Sequence, residues 1–214
     1  MDTSRASWRN TTHDWTGTVD LDHLAHIRRN SAAFAPGGVL HLTLEVVAYV
    51  ADEAAAGHGG LCRITLHPDG SVSVADDGRG TDTRVDELGR IVKKPVMATK
   101  DLRFFDHPEA PSLPDAHHRR GMSVVAALST WLIHTNRRLN GSWTQRYEHG
   151  VPTTDLRPIA DDLTTGTTVH FLPDESLRNA GRPSGTSRTT VDDLARLTRS
   201  WQHLTVEIDD RRGT

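Results

Sequence analysis

Apolar and polar positions alternate along this chain in two distinct rhythms. In residues 37–57, Leu40, Leu44, Val47, Ala51 and Ala55 recur at steps of three and four. Val39, Val46, Val50 and Ala54 widen that stripe, and glycines stand at both ends. The spacing predicts one helix of about five turns. Glu45, Tyr49, Asp52 and Glu53 share its remaining face. A glutamate set among so many apolar neighbours either faces a cavity or bears a desolvation cost. A half-exposed helix with a solvated acidic edge is the plainer reading of the same spacing.

The second rhythm has period two. Residues 61–66 and 71–75 alternate as strands around His67-Pro68-Asp69-Gly70, a hairpin turn. The second strand runs into Asp76-Asp77-Gly78-Arg79-Gly80. A carboxylate at a strand end beside two glycines can accept a hydrogen bond from a ligand amine, with bare backbone close by; taken alone, the run is also an ordinary turn. Further along, residues 131–138 and 142–148 read as a hairpin around Leu139-Asn140-Gly141. Thr165-Gly166-Thr167 leads into a strand ending at Leu172, and residues 204–208 form a last strand.

Helices are expected over residues 21–33, N-capped by Asp20, and over 121–130. Another runs from Thr190 to about His203, with Asp192 and Asp193 in its first turn. His118-Arg119-Arg120 precede Gly121, so a helix start with two arginines could serve an anion. Residues 174–189 read as a solvated loop. Residues 81–114 are long and weakly periodic, as functional or mobile loops are. Within them Phe104 and Phe105 suit a small satellite core. Lys100 and Arg103 could reach phosphates or could be solvated charges. Residues 1–20 read as an arm whose Trp8 and Trp15 either reach a partner or dock on their own domain.

Composition narrows this picture. The 214 residues suit one domain. Apolar residues make up 36% and charged residues 25%, polar for a compact domain. A net charge of −3 gives no global field for nucleic acid, so no direct DNA binding is expected. Cys62 is the single cysteine; it excludes an intramolecular disulfide and suits a reducing cytoplasm. In its strand it reads as a small core residue. No segment is expected to span a membrane. The 13 histidines show no metal-ligand spacing.

Taken together, the long helix, the hairpin and Asp76-Asp77-Gly78-Arg79-Gly80 resemble the ATPase domain of the DNA gyrase B subunit and its topoisomerase IV relative. The resemblance continues in order through Ser123-Val124-Val125-Ala126-Ala127-Leu128-Ser129, Gln145 to Pro152, and Thr165-Gly166-Thr167-Thr168-Val169-His170-Phe171. It implies the Bergerat-type fold of the GHKL ATPases: an α/β two-layer sandwich, a mixed sheet with helices on one face, over residues 21–214. Residues 81–120 would then be the lid and an altered phosphate loop. The arm would reach over a partner's nucleotide, in a homodimer or with a gyrase-like partner.

The resemblance also assigns roles. Glu45 matches the general base, Asp76 the reader of the adenine amino group, and Gly78 and Gly80 the glycines beneath the base. Thr167 matches the threonine that supports the adenine-bound water, and Arg138 an arginine at the mouth. Arg79 and Asp52 fall within the matched motifs and are expected beside the nucleotide. Tyr49 stands where the family has its Mg²⁺-ligating asparagine, and Ala48 where it has an aspartate; a phenol is a poor Mg²⁺ ligand. Thr81-Asp82 replaces an isoleucine-proline wall. The glycine-rich phosphate loop is reduced to Gly121, with Arg119 and Arg120 in place of backbone donors. The transducer's lysine and the DNA-cleaving regions find no match, so the chain is expected to stand alone. The leading expectation is ATP binding with slow or no hydrolysis, with Mg²⁺ left open. The alternatives are a pseudo-ATPase regulatory module, and an active ATPase in which Arg119, Arg120 and Lys100 replace the lost groups. Tyr49 or the arginines filling the hollow would leave only the architecture.

Overall fold

The computed structural model describes residues 19–57, 59–81, 83–85, 87–88, 91–93, 96–139, 141–179 and 191–213. The expectations for the arm, with Trp8 and Trp15, and for the Thr190 cap lie outside the described residues.

Helix α1, Leu21–Arg29, opens where Asp20 accepts the His23 N–H at 2.9 Å. The expected helix over 21–33 is broken at Asn30, and α2 is only Ser31–Phe34. The Asn30 side chain donates to the His26 carbonyl at 2.8 Å, a local bond that competes with the helix ladder. Helix α3, Val39–Gly57, is the long helix read from the spacing. Its surroundings differ from that reading: every residue from 41 to 48 is buried, including His41, Thr43 and Glu45, while Ala55 is exposed. The acidic face is therefore solvated only beyond Tyr49.

Strands β1 (Gly60–Leu66) and β2 (Val72–Asp76) pair as the expected hairpin. Strands β3 (Thr83–Val85) and β4 (Ile91–Lys93) form a separate two-stranded piece within the long segment. Helix α4 spans only Met122–Ala127, shorter than expected, because the chain turns at Leu128 and β5 (Ser129–Arg137) begins at once. Strands β6 (Trp143–Glu148), β7 (Val151–Pro152), β8 (Arg157–Pro158) and β9 (Gly166–Pro173) follow. The short α5, Glu175–Asn179, occupies part of the expected loop. Helix α6, Val191–Thr198, stops five residues before His203; Thr198 and Ser200 turn their hydroxyls back onto the Leu194 and Leu197 carbonyls. Strand β10, Leu204–Asp210, closes the order.

Eight of the described strands form one mixed sheet, ordered β10-β1-β2-β9-β5-β6-β7 with β8 beside β6. Only β1 and β10 are parallel among these pairs. Register aligns side chains in rows across the face that carries the helices. One row is Leu66, Val72, Phe171, Leu132 and Tyr147, and all five are buried. The next holds Ile64, Val74, Val169 and His134. One step further the row turns polar: Cys62 faces Asp76 and Asn136 faces Thr167. Helices α3 and α4 cover the apolar rows, giving the two-layer α/β sandwich. The polar row at the sheet's end is where the core gives way to a site. Burial and the neighbouring Asp76 and Asp77 push the Cys62 thiol up to about 12, so it is an inert core group. Among the described residues no helix is long and apolar enough to cross a membrane. Phe105 joins the main core by stacking on Phe34 at 5.2 Å, so it is no satellite.

Candidate functional site

The site begins at the polar row. Asp76 is half-buried at the end of β2, and its Oδ1 accepts the Gly78 N–H at 2.9 Å. Desolvation pushes its carboxyl up to about 6 against the N–H groups of Gly78 and Thr167, which hold it down. Two accepted bonds leave lone pairs for a ligand amine. Gly80 has φ +79°, and a Cβ there would run into the Arg137 carbonyl oxygen. Beneath it Asn136, fully buried on β5, takes the Thr81 N–H on Oδ1 at 2.5 Å. The Asn136 Nδ2 is buried with no hydrogen-bond partner. Arg138 donates to the Gly80 carbonyl at 3.1 Å. Asp76, Gly78, Gly80, Arg138 and Thr167 are thus brought together, with Asn136 among them. Arg79 sits on the rim, 72% exposed, in an ion pair with Glu53 at 2.5 Å.

The far end is built differently. Glu45 is 0% exposed. Its Oε1 accepts the Arg120 N–H at 2.5 Å and its Oε2 the Gly121 N–H at 3.0 Å. Burial pushes its carboxyl up to about 7, opposed by His41 and by those two N–H groups. His41 Nε2 stands 3.7 Å from Glu45 Oε1, while His41 Nδ1 meets Asp115 Oδ2 at 2.7 Å. A carboxylate can only accept, so Nδ1 carries the proton in that bond. Burial alone would raise the Asp115 carboxyl; the His41 ring beside it holds it below its ordinary value.

Between these ends lies a closed cluster of side chains. The Tyr49 hydroxyl donates to Asp101 Oδ2 at 2.7 Å. Desolvation, then the Asp101 charge, raise that phenol well above its ordinary value. Asp101, 1% exposed, also takes the Arg103 guanidinium at 3.0 and 2.8 Å. Arg119 is 5% exposed; it donates to Asp52 at 2.8 Å and lies over the rings of Tyr49 and Phe104 at 4.4 and 4.0 Å. Its Nε and Nη2 are buried with no hydrogen-bond partner. Tyr49 and Arg119 thus both pack between the two ends, whereas the Arg120 guanidinium lies 5.9 Å from the Phe34 ring. Lys100 pairs with Asp106 at 3.6 Å and lies over Phe105, and Arg103 is held by Asp101.

Sequence reasoning missed four of these residues: His41, Asp101, Asp115 and Asn136. His41 stands four before Glu45, a spacing that puts both on one helix face, so it was accessible. The other three lie far from their partners in sequence and carried no local signal. The residues do not fit a Mg²⁺ ion at Tyr49, because that oxygen keeps its proton and spends it on Asp101. Among the described residues no group of three or more His, Cys, Asp and Glu is arranged to hold a metal.

No family model matches the chain. It is 36% identical over 141 residues to the DNA topoisomerase 4 B subunit from Bacillus subtilis, covering 65% of the chain and 22% of that protein. It is 38% identical over 138 residues to the DNA gyrase B subunit from Thermotoga maritima, covering 64% and 22%. With the DNA gyrase B subunit from Mycolicibacterium smegmatis the identity is 34% over 178 residues, covering 83% and 26%. The chain spans only about a quarter of the length of the curated relatives it matches.

Proposed function

Because this chain is a gyrase B-like domain, related to the B subunits of DNA gyrase and topoisomerase IV, we propose that it binds an adenine nucleotide and hydrolyses it slowly or not at all. One contrast carries the reading. At the base end, Asp76 is only half-buried beside glycine backbone; at the other end, Glu45 is fully buried with the N–H groups of Arg120 and Gly121 on its two oxygens.

The base end suits recognition. The Asp76 carboxylate accepts an exocyclic amine, and Gly78 and Gly80 let a flat ring lie close to the backbone. Thr167 and the buried Asn136 bring further polar groups to the same row. The far end suits chemistry poorly. A general base must be within reach of the proton it takes and free to take it. A carboxyl pushed up to about 7 fits that task, but Glu45 is fully buried with a loop amide on each oxygen, out of reach of an attacking water. Tyr49 supplies no metal ligand, so the charge stabilisation that phosphoryl transfer depends on is weak.

Steady-state phosphate release tests this. Beside a gyrase B ATPase fragment, this protein is expected to turn over at least ~100-fold more slowly. Turnover equal to the fragment's, abolished by Glu45→Gln, would refute the reading.

A regulatory module that has given up nucleotide is the second reading. The packing of Tyr49 on Asp101 and of Arg119 on Asp52 between the two ends favours it. That module would pair with itself or with a gyrase-like partner through its N-terminal arm.

A further inference from the structure

Four side chains follow one another along α3 from the base end to the far end. Glu53 stands at the base loop, with its Cγ 3.1 Å from where a Cβ on Gly78 would be. Asp52, holding Arg119, is next; Tyr49, on Asp101, follows; Glu45, on the Arg120 and Gly121 amides, comes last. From Glu53 to Glu45 is about 12 Å of helix. A ligand whose base rests on Asp76 and whose tail runs along α3 therefore meets Arg119 first.

Arg119 is equipped for one anionic group. It is a guanidinium with one arm fixed on Asp52 and its carbon in the corner made by the perpendicular Tyr49 and Phe104 rings. Its Nε and Nη2 donors are buried and have no partner. Leaving two such donors unpaired is costly, and an anionic oxygen would satisfy them. Beyond Arg119, among the described residues, the backbone offers little to a second or third phosphate. The amides of the reduced loop are spent on Glu45. A Cβ built on Gly121 would lie 3.0 Å from the Asp101 Cβ and 3.2 Å from the Tyr49 hydroxyl, so the loop backbone is packed against side chains. The buried Glu45 and Asp101 fill that end, and Asp101 already holds the Arg103 guanidinium there.

We infer that this site takes adenosine 5′-monophosphate in preference to ATP: the base on Asp76, one phosphate on the Arg119 guanidinium, and the space beyond closed by Tyr49 and Asp101. The inference rests on the adenine-nucleotide reading and narrows its ligand class. Arg119 is then the residue that sets phosphate number.

Calorimetric titration of the full chain with adenosine, the monophosphate, the diphosphate and ATP tests it, each with and without Mg²⁺. The monophosphate is expected to bind at least ~10-fold more tightly than either adenosine or ATP. In Arg119→Gly its advantage over adenosine should vanish, and ATP should gain at least ~10-fold relative to it. ATP binding as tightly as the monophosphate in the wild type would overturn the inference while leaving adenine binding intact. That wild-type comparison decides the matter even where Arg119→Gly does not fold. Failure of all four ligands to bind would overturn the adenine reading together with this one.

Discussion

Gly166→Ala is expected to destabilise the domain by about 3 kcal/mol or more and to remove adenine-nucleotide binding with it. Gly166 opens β9 at φ +131°, a backbone conformation that side chains disfavour. A Cβ there would run into the Asp76 carbonyl oxygen and come within 2.9 Å of its carbonyl carbon and 3.3 Å of the Asp77 Cα. All three obstacles are backbone, so no flexible side chain can swing away. Relief requires the end of β2 to move off β9, and that end carries Asp76, on which the proposed recognition depends. Urea unfolding gives the stability change, and titration gives the binding. A loss below about 1 kcal/mol would mean that the strands do not approach as closely as described.

Glu45→Ala carries the second large effect, and it falls on stability. Its carboxylate satisfies two backbone donors, one of them the buried Gly121 N–H. Removing it leaves both unpaired and opens a cavity beside His41, for a cost of about 3–5 kcal/mol at pH 5. The cost depends on pH. Folding raises the Glu45 carboxyl from 4.5 to about 7. Between those values the folded state holds a proton that the unfolded state has released. Its contribution is therefore full below about pH 4.5, falls as pH rises, and is gone above about 7. The difference amounts to about 3 kcal/mol. Unfolding of wild type and variant at pH 5 and pH 8 should accordingly show a much smaller penalty at pH 8. A penalty that grows with pH would mean that the carboxylate is stabilised as an ion, and the account of its burial would be wrong.

Much of this architecture could be read from spacing. The period of three and four in α3 and the alternation in β1 and β2 come from one face being apolar, and each needs only its own segment. Asp76, Gly78 and Gly80 were readable for the same reason, since strand, carboxylate and glycines are contiguous. Glu45 could be named, but its partners could not. The amides that engage it belong to residues 120 and 121, and nothing in either segment announces that they meet. The ring-and-guanidinium cluster is harder still. Tyr49, Asp101, Phe104 and Arg119 lie on three separate stretches, and their packing is decided by tertiary fit. Helix ends were misjudged where a side chain bonded back to a carbonyl, as at Asn30 and Thr198. The helical rhythm continues past those points, so period alone carries no stop signal.

The central claim is that Asp76 reads an adenine base. Its most direct test is calorimetric titration of wild type and Asp76→Ala with adenosine 5′-monophosphate between pH 5 and pH 8. One ligand should bind per wild-type chain, at least ~10-fold more weakly in the variant. The advantage of wild type over the variant should also shrink as pH drops through about 6, because protonation leaves a weaker acceptor for the base amine. Equal binding by the two proteins, or no binding by the wild type, would contradict the account.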